Sequence, residues 1–410
     1  MSDTQMLQRV LPHLDKHLAL GLLSFYQHKG YPVDDAVQTM FNHTSLLPEG
    51  GVRPEHEART QELIERVAPA LDYFFDKPID DEVYTYRFKL TSSEVEQLRT
   101  QGELSVDYLH DKQITKQMMR DVMNLAFCFY DKGAYGDAAE MLSLCQCISG
   151  SDLPMDYILW GKLVCDSAAA AWQSAVETAD RIHDNQNSAD DEAFRMNKGT
   201  TVRARAWLLH GVLFPFFKGG TQYHTKLLFY IFDHKSDYVY RRVVETVCPH
   251  YLRYICAAVL LNRTRHNNFR EAAAMANSIY EYSDVLTRLV SLIHKCELED
   301  AIALLPQVGD LLDEDFFLLD FKEDILENAR LLIFQRYMAI HSVVSIPHVA
   351  ERLNMTKEDA EVWLVNLISS SKQRAKIDSV NEQLNMVPQS KAVDAVVYDK
   401  LENGPNSRRS

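Results

Sequence analysis

Residues 115–148 place the strongest constraint on what this chain can become. Met118, Val122, Leu125, Ala126 and Phe129 fall at i, i+4, i+7, i+8 and i+11, which is one face of an α-helix. Asp131-Lys132-Gly133 breaks the pattern, after which Tyr135, Ala138, Leu142 and Cys145 share one face of a second helix. Ala126 and Ala138 are small enough to let two antiparallel helices approach closely. A single hairpin of this kind cannot bury its own apolar face, so neighbours must stack on it.

Leu125, Ala126, Phe129, Gly133, Tyr135, Ala138, Leu142 and Cys145 stand at the spacing of a tetratricopeptide-like hairpin. Degenerate repeats follow over 157–181, 202–232, 238–261 and 269–304, recognised by period and length rather than by residue identity. Polar or Pro/Gly-rich breaks fall at 42–54, 76–81, 184–199, 218–221 and after Pro388. None is a long low-complexity linker, so the helices are expected to form a continuous body.

The C-terminal block has another order. A long amphipathic helix is expected over 321–341, then a short strand at Val344-Ser345-Ile346. A helix over 347–353 opens on Pro347, which is favourable at a first helical position. Thr356 caps the next helix, with Asp359 three residues on. There Ala360, Trp363, Leu364, Leu367 and Ile368 share a face. Strands over 375–378 and 383–387, joined by 379–382, complete the order of a winged helix. Its expected core is Ile346, Val349, Leu353, Trp363, Leu364 and Ile368. The apolar residues Ile377, Leu384, Met386 and Val387 on the hairpin are candidates for a subunit interface, since an open strand edge invites pairing with another chain.

Composition narrows the function. The chain has 410 residues, with 43 basic against 58 acidic, for a net charge of −15. Autonomous duplex binding usually needs a basic surface, so this balance argues against it. Nucleic-acid contact is a separate question for the winged helix. The residues that would enter a groove are Lys357, Glu358, Asp359 and Glu361, and three of these four repel phosphate. Lys372, Arg374 and Lys376 near the wing are the candidate RNA contacts. Seven scattered cysteines, with no C-x-x-C, suggest free thiols in a reducing compartment. No leader pattern opens the chain. The most apolar stretch, 207–217, is too short for a membrane span of ~20 residues. A soluble intracellular protein is expected.

Catalytic patterns are missing from the sequence. His13 and His17 stand at i, i+4, but a zincin would carry Glu where Leu14 stands. There is no His-x-His, phosphate loop, nucleophile elbow or dinucleotide fingerprint. Asp80-Asp81 and Asp190-Asp191 sit in polar runs where solvation explains them. No catalytic, metal or cofactor site is expected.

A helical stack running into a winged helix resembles the PCI domain of the proteasome lid, the COP9 signalosome and eukaryotic translation initiation factor three. Ordered phrases sharpen the resemblance to the family of e subunits of that factor. They include Leu11-Pro12-His13-Leu14-Asp15-Lys16-His17-Leu18, Val106-Asp107-Tyr108-Leu109-His110-Asp111-Lys112, Arg205-Ala206-Trp207-Leu208-Leu209-His210 and Cys248-Pro249-His250-Tyr251-Leu252-Arg253-Tyr254. The longest runs from Asp315-Phe316-Phe317-Leu318 through Trp363-Leu364-Val365-Asn366-Leu367-Ile368 to Ala375-Lys376-Ile377-Asp378. Departures lie at 42–59, 78–104 and 184–201 and in the short tail.

The resemblance implies an all-α helical-repeat solenoid followed by a C-terminal winged helix. It divides the chain into an N-terminal helical region (1–110), hairpin repeats (111–310), a winged-helix part (311–388) and a tail (389–410). It also implies a cytoplasmic, non-catalytic scaffold without cofactor, joining PCI subunits on the 40S ribosomal subunit. The c, l and d subunits of the factor are the expected neighbours, with no DNA or membrane partner. A member of a sister complex and a winged-helix RNA-binding protein are the alternatives.

Overall fold

The apolar faces described above become stacked antiparallel helix pairs. The computed structural model describes residues 3–42, 44, 46, 52–76, 86–148, 152–188, 198–232, 238–353, 356–370, 375–378 and 381–386. The chain divides into two units, one of residues 1–258, 279–283 and 313–320, the other of residues 259–278, 284–312 and 321–410.

The first unit opens with α1 (Asp3–Val10), a 3-10 turn (Leu11–His13), α2 (Lys16–His28) and α3 (Asp34–Asn42). Then come α4 (Pro54–Phe74), α5 (Ser92–Thr100) and α6 (Val106–His110). The first repeat hairpin is α7 (Lys116–Lys132) with α8 (Tyr135–Cys147). Thr115 starts α7 by accepting a hydrogen bond from the Met118 N–H. Gly133 ends it in the left-handed region at φ 86°, where an L side chain would be strained. Ala126 and Ala138 are both buried, with Val122, Leu125 and Leu142 around them. The other side of the pair is covered by α4 through Val67, Ala70 and Leu71.

A two-stranded ribbon, β1 (Phe75–Asp76) and β2 (Arg87–Phe88), lies outside the sequence expectation. Two residues per strand carry no readable alternation. The ribbon is tied to α8 by carboxylates: Tyr86 N–H donates to Asp137 (2.9 Å) and Phe88 N–H to Glu140 (3.1 Å).

Further pairs follow: α9 (Met155–Ala168) with α10 (Trp172–Ser188), then α11 (Lys198–Gly211), α12 (Leu213–Lys218), α13 (His224–Phe232) and α14 (Val239–Thr246). A 3-10 turn (Pro249–Tyr251) leads into α15 (Leu252–Leu261). Here the interior holds charge. Arg253 donates to Asp315 at 3.0 Å with both side chains sealed from solvent. The Asp315 carboxylate also accepts the N–H groups of Phe317 (3.0 Å) and Leu318 (3.3 Å). Arg253 donates in addition to the Tyr282 hydroxyl at 3.1 Å.

Three histidines tie the N-terminal turn to this layer. His210 Nδ1 lies 2.7 Å from the Ala206 carbonyl, which can only accept, so Nδ1 carries the proton. His210 Nε2 is then an acceptor, and His250 Nε2–H donates to it at 2.9 Å. His13 stacks on His210 with ring centroids 4.4 Å apart. Burial holds all three imidazoles below their ordinary pKa, and His250 is lowered to about 3.

The second unit contains α16 (His266–Ser278), α17 (Val285–Lys295), α18 (Leu298–Glu314) and α19 (Lys322–Ile340). Then come β3 (Val343–Ser345), α20 (Ile346–Leu353), α21 (Lys357–Ser370), β4 (Ala375–Asp378) and β5 (Gln383–Met386). This is the helix, strand, helix, helix, hairpin order of a winged helix.

Two measurements test these interiors. Asp315→Ala leaves a buried guanidinium uncompensated and should destabilise the protein by ~3–5 kcal/mol in urea unfolding. The histidines give a pH signature. Unfolded, each titrates near ~6.5, so below that value the unfolded chain binds more protons than the folded one. Thermal stability should therefore fall as pH drops from about 6.5 toward 3. His250→Gln, a neutral donor, should flatten that profile.

Candidate functional site

The winged-helix sheet has the strand order β3-β5-β4, all antiparallel. The strand β5 is therefore central, with both edges used. Val344, Leu384 and Ile377 stand in one row across the sheet, and Val343, Asn385 and Lys376 in the next. Side chains alternate faces along a strand, so the first row faces in and the second faces out. Val344 and Leu384 are buried while Val343 is 46% exposed.

This register corrects part of the expected interface. Leu384 is 0% exposed and belongs to the winged-helix core. Ile377 and Met386 are half-buried and share its inward phase. Val387 lies outside the described residues, as do Lys372 and Arg374. Lys376 is exposed on the outer face. Ile346, Val349 and Leu364 are buried. Leu353 falls in α20, with its side chain outside the described set. Ile368 is half-buried. Trp363 is also half-buried, because it packs outward against α19. Its indole N–H donates to Glu327 at 2.8 Å, and its ring meets Phe334 edge-on at 5.2 Å.

Sequence reasoning missed the exposed apolar residues of this module: Ile340, Val343, Val362 and Val365. A signal existed, since Val362 and Val365 fall off the face shared by Ala360, Leu364 and Ile368. The outer edges of β3 and β4 carry no further strand among the described residues.

The start of α21 is electronegative. Glu358 and Asp359 occupy its first turn, and the Thr356 hydroxyl donates to Asp359 while accepting that residue's N–H. The Lys357 ammonium is paired with Glu382. Among the described residues, a phosphate approaching this terminus meets carboxylates and no unpaired cation.

A second candidate surface lies in the first unit. A groove of about 880 Å³ runs along α7, α9 and α11, with the Pro12–Leu14 segment at one end. Trp160, Gly161, Val164, Trp207 and Gly211 line it. Trp207 is 53% exposed. The adjoining Tyr157 is 72% exposed. Large aromatic surface left open in this way marks interaction sites.

His13 and His17 face different partners: His13 stacks on His210, and His17 Nδ1 lies 2.9 Å from the Tyr135 hydroxyl. Among the described residues no group of three or more His, Cys, Asp or Glu could hold a metal ion, and no helix is long and apolar enough to cross a membrane. Asp80, Asp81, Asp190 and Asp191 lie outside the described residues.

The inward and outward rows make a direct comparison possible. Leu384→Asp buries an unpaired carboxylate and should cost several kcal/mol, seen as loss of the winged-helix transition in thermal circular dichroism. Lys376→Asp, on the outer face of the same sheet, should change stability by no more than ~0.5 kcal/mol.

Comparison with known proteins adds an independent line. A PCI domain model matches residues 308–387, which includes all of this sheet. Along the chain, the E subunit of eukaryotic translation initiation factor 3 from Bombyx mori is 29% identical over 385 residues, covering 92% of this chain and 80% of that protein. The Anopheles gambiae protein of the same name is 29% identical, covering 90% and 84%. That of Botryotinia fuckeliana is 28% identical, covering 92% and 85%. With a PCI domain over residues 308–387 and these matches along nearly its whole length, the chain is similar to the E subunits of eukaryotic translation initiation factor 3.

Proposed function

We propose that this protein is a non-catalytic scaffold within the initiation factor 3 complex, joining other PCI subunits in the cytoplasm on the small ribosomal subunit. The open β3 edge, flanked by the exposed Ile340 and Val343, supports this reading most directly. An unpaired edge beside apolar side chains is suited to receive a strand or helix of a neighbouring protein. The acidic first turn of α21 favours the same use, since it suits protein contact better than phosphate contact. The aromatic groove along α7, α9 and α11 offers a second attachment point, of a size and chemistry suited to an extended tail. The c and l subunits of the factor are the neighbours proposed for the PCI module, and the tail of its d subunit is the occupant proposed for the groove.

The test is affinity purification of the tagged full chain from cytosol, with quantitative mass spectrometry. Initiation factor 3 subunits and 40S proteins should be enriched. The double variant Ile340→Asp/Val343→Asp should remain folded yet lose the PCI neighbours by ~10-fold or more, corresponding to more than ~1.4 kcal/mol. Recovery of proteasome lid or signalosome subunits instead would reassign the protein to a sister complex. Recovery of none of these would remove the scaffold reading.

A further inference from the structure

The α16–α17 hairpin of the second unit carries a polar face that the assembly reading does not use. The helices run antiparallel. Their outer stripes lie side by side, because the Ser291 hydroxyl donates to Asn277 Oδ1 at 2.8 Å. Along α16 the exposed positions are Asn267, Arg270, Ala274 and Asn277; along α17 they include Arg288 and Lys295, with Ser291 half-buried between them. Phe269, Ala272, Ala273 and Met275 turn inward on α16, as do Leu286, Leu289, Val290 and Ile293 on α17.

Three cations therefore share one face: Arg270, Arg288 and Lys295. Among the described residues none of the three enters a salt bridge. Arg288 and Lys295 are seven residues apart, roughly 10 Å along the helix axis. Antiparallel pairing brings the Arg270 end of α16 beside the Lys295 end of α17. Arg263 and Arg265 lie in the connection that enters α16. The nearby carboxylates are off the stripe. Glu271 is half-buried on the flank of α16, and Glu297 follows the left-handed Cys296 that ends α17.

The chain as a whole carries a charge of −15. A face of cations that enter no salt bridge among the described residues, interleaved with Asn side chains, stands out against that background. We propose that this face binds the phosphate backbone of a nucleic acid, with Arg270, Arg288 and Lys295 on phosphate oxygens and Asn267 and Asn277 as neutral donors. Backbone contacts are made by these side-chain types. An acidic protein partner fits less well. Protein interfaces centre on aromatic and apolar anchors, and among the described residues the apolar side chains along the stripe are the Ala274 methyl and the half-buried Leu292, with no aromatic among them. The inference stands apart from the scaffold reading and uses neither the sheet edge nor the groove.

Fluorescence anisotropy of the full-length chain with a labelled single-stranded RNA, titrated against salt, tests it. Wild type should bind at low salt. The variant Arg270→Glu/Arg288→Glu/Lys295→Glu should bind at least ~10-fold more weakly, and its log–log salt slope should be shallower by ~2, at about 0.7 per lost phosphate contact. A control variant, Lys112→Glu/Arg120→Glu/Lys132→Glu, makes the same change in net charge at exposed positions elsewhere and should keep wild-type affinity. All three proteins should give the same circular dichroism melt, because the altered side chains are exposed. No salt-dependent binding by wild type, equal binding by the first variant, or equal loss in the control overturns the proposal. Stronger binding of poly-glutamate than of RNA also overturns it, and makes the face a dock for acidic protein.

Discussion

An antiparallel helix pair such as α7 and α8 leaves apolar sides uncovered, and that geometry drives the rest of the first unit. Ala126 and Ala138 are buried in this pair, and the buried Val122, Leu125, Met141 and Leu142 need further partners. Supplying α4 on one side and α9 on another buries those faces but presents new ones. The hydrophobic term is proportional to area and has no direction, so a stack of this kind grows by repetition. Its surface is a set of parallel helix faces, and a groove such as the one at Trp160 and Trp207 forms between them.

Polar pairs then fix what apolar stacking leaves loose. Arg253 and Asp315 sit 62 residues apart in sequence and are sealed together. Burying two charges is costly unless each is fully paired. The Asp315 carboxylate meets this condition by also accepting two backbone N–H groups. The histidine trio acts likewise with neutral groups, since His210 and His250 each supply what the other's nitrogen requires. Such contacts specify one register of chain against chain, because a slip of even one residue would strand a buried polar group.

Much of the architecture was legible in the sequence. The hairpin at 115–148, the winged-helix order and the acidic start of its last helix each follow from local spacing and residue type. The interface was less legible. Asn385 and Leu384 alternate along β5, and alternation alone gives two faces without saying which one is inside. The strand β3, about forty residues earlier, pairs with the free side of β5 and decides the question. It makes β5 central and turns Leu384 inward opposite Val344. The half-exposure of Trp363 has a similar origin: its face of α21 was visible, while the α19 helix that receives it, with Glu327 as acceptor, was not.

The sequence by itself determined the helical class, the first hairpin, the winged helix and the likeness to E subunits of initiation factor 3, because these depend on periodicities and phrases that are local in the chain. Tertiary structure alone decided which apolar residues are covered, which carboxylate neutralises Arg253, and which cations of the α16–α17 face enter no salt bridge among the described residues. Those outcomes depend on contacts between residues far apart in sequence. The pattern around any one of them is compatible with either burial or exposure until its neighbour arrives.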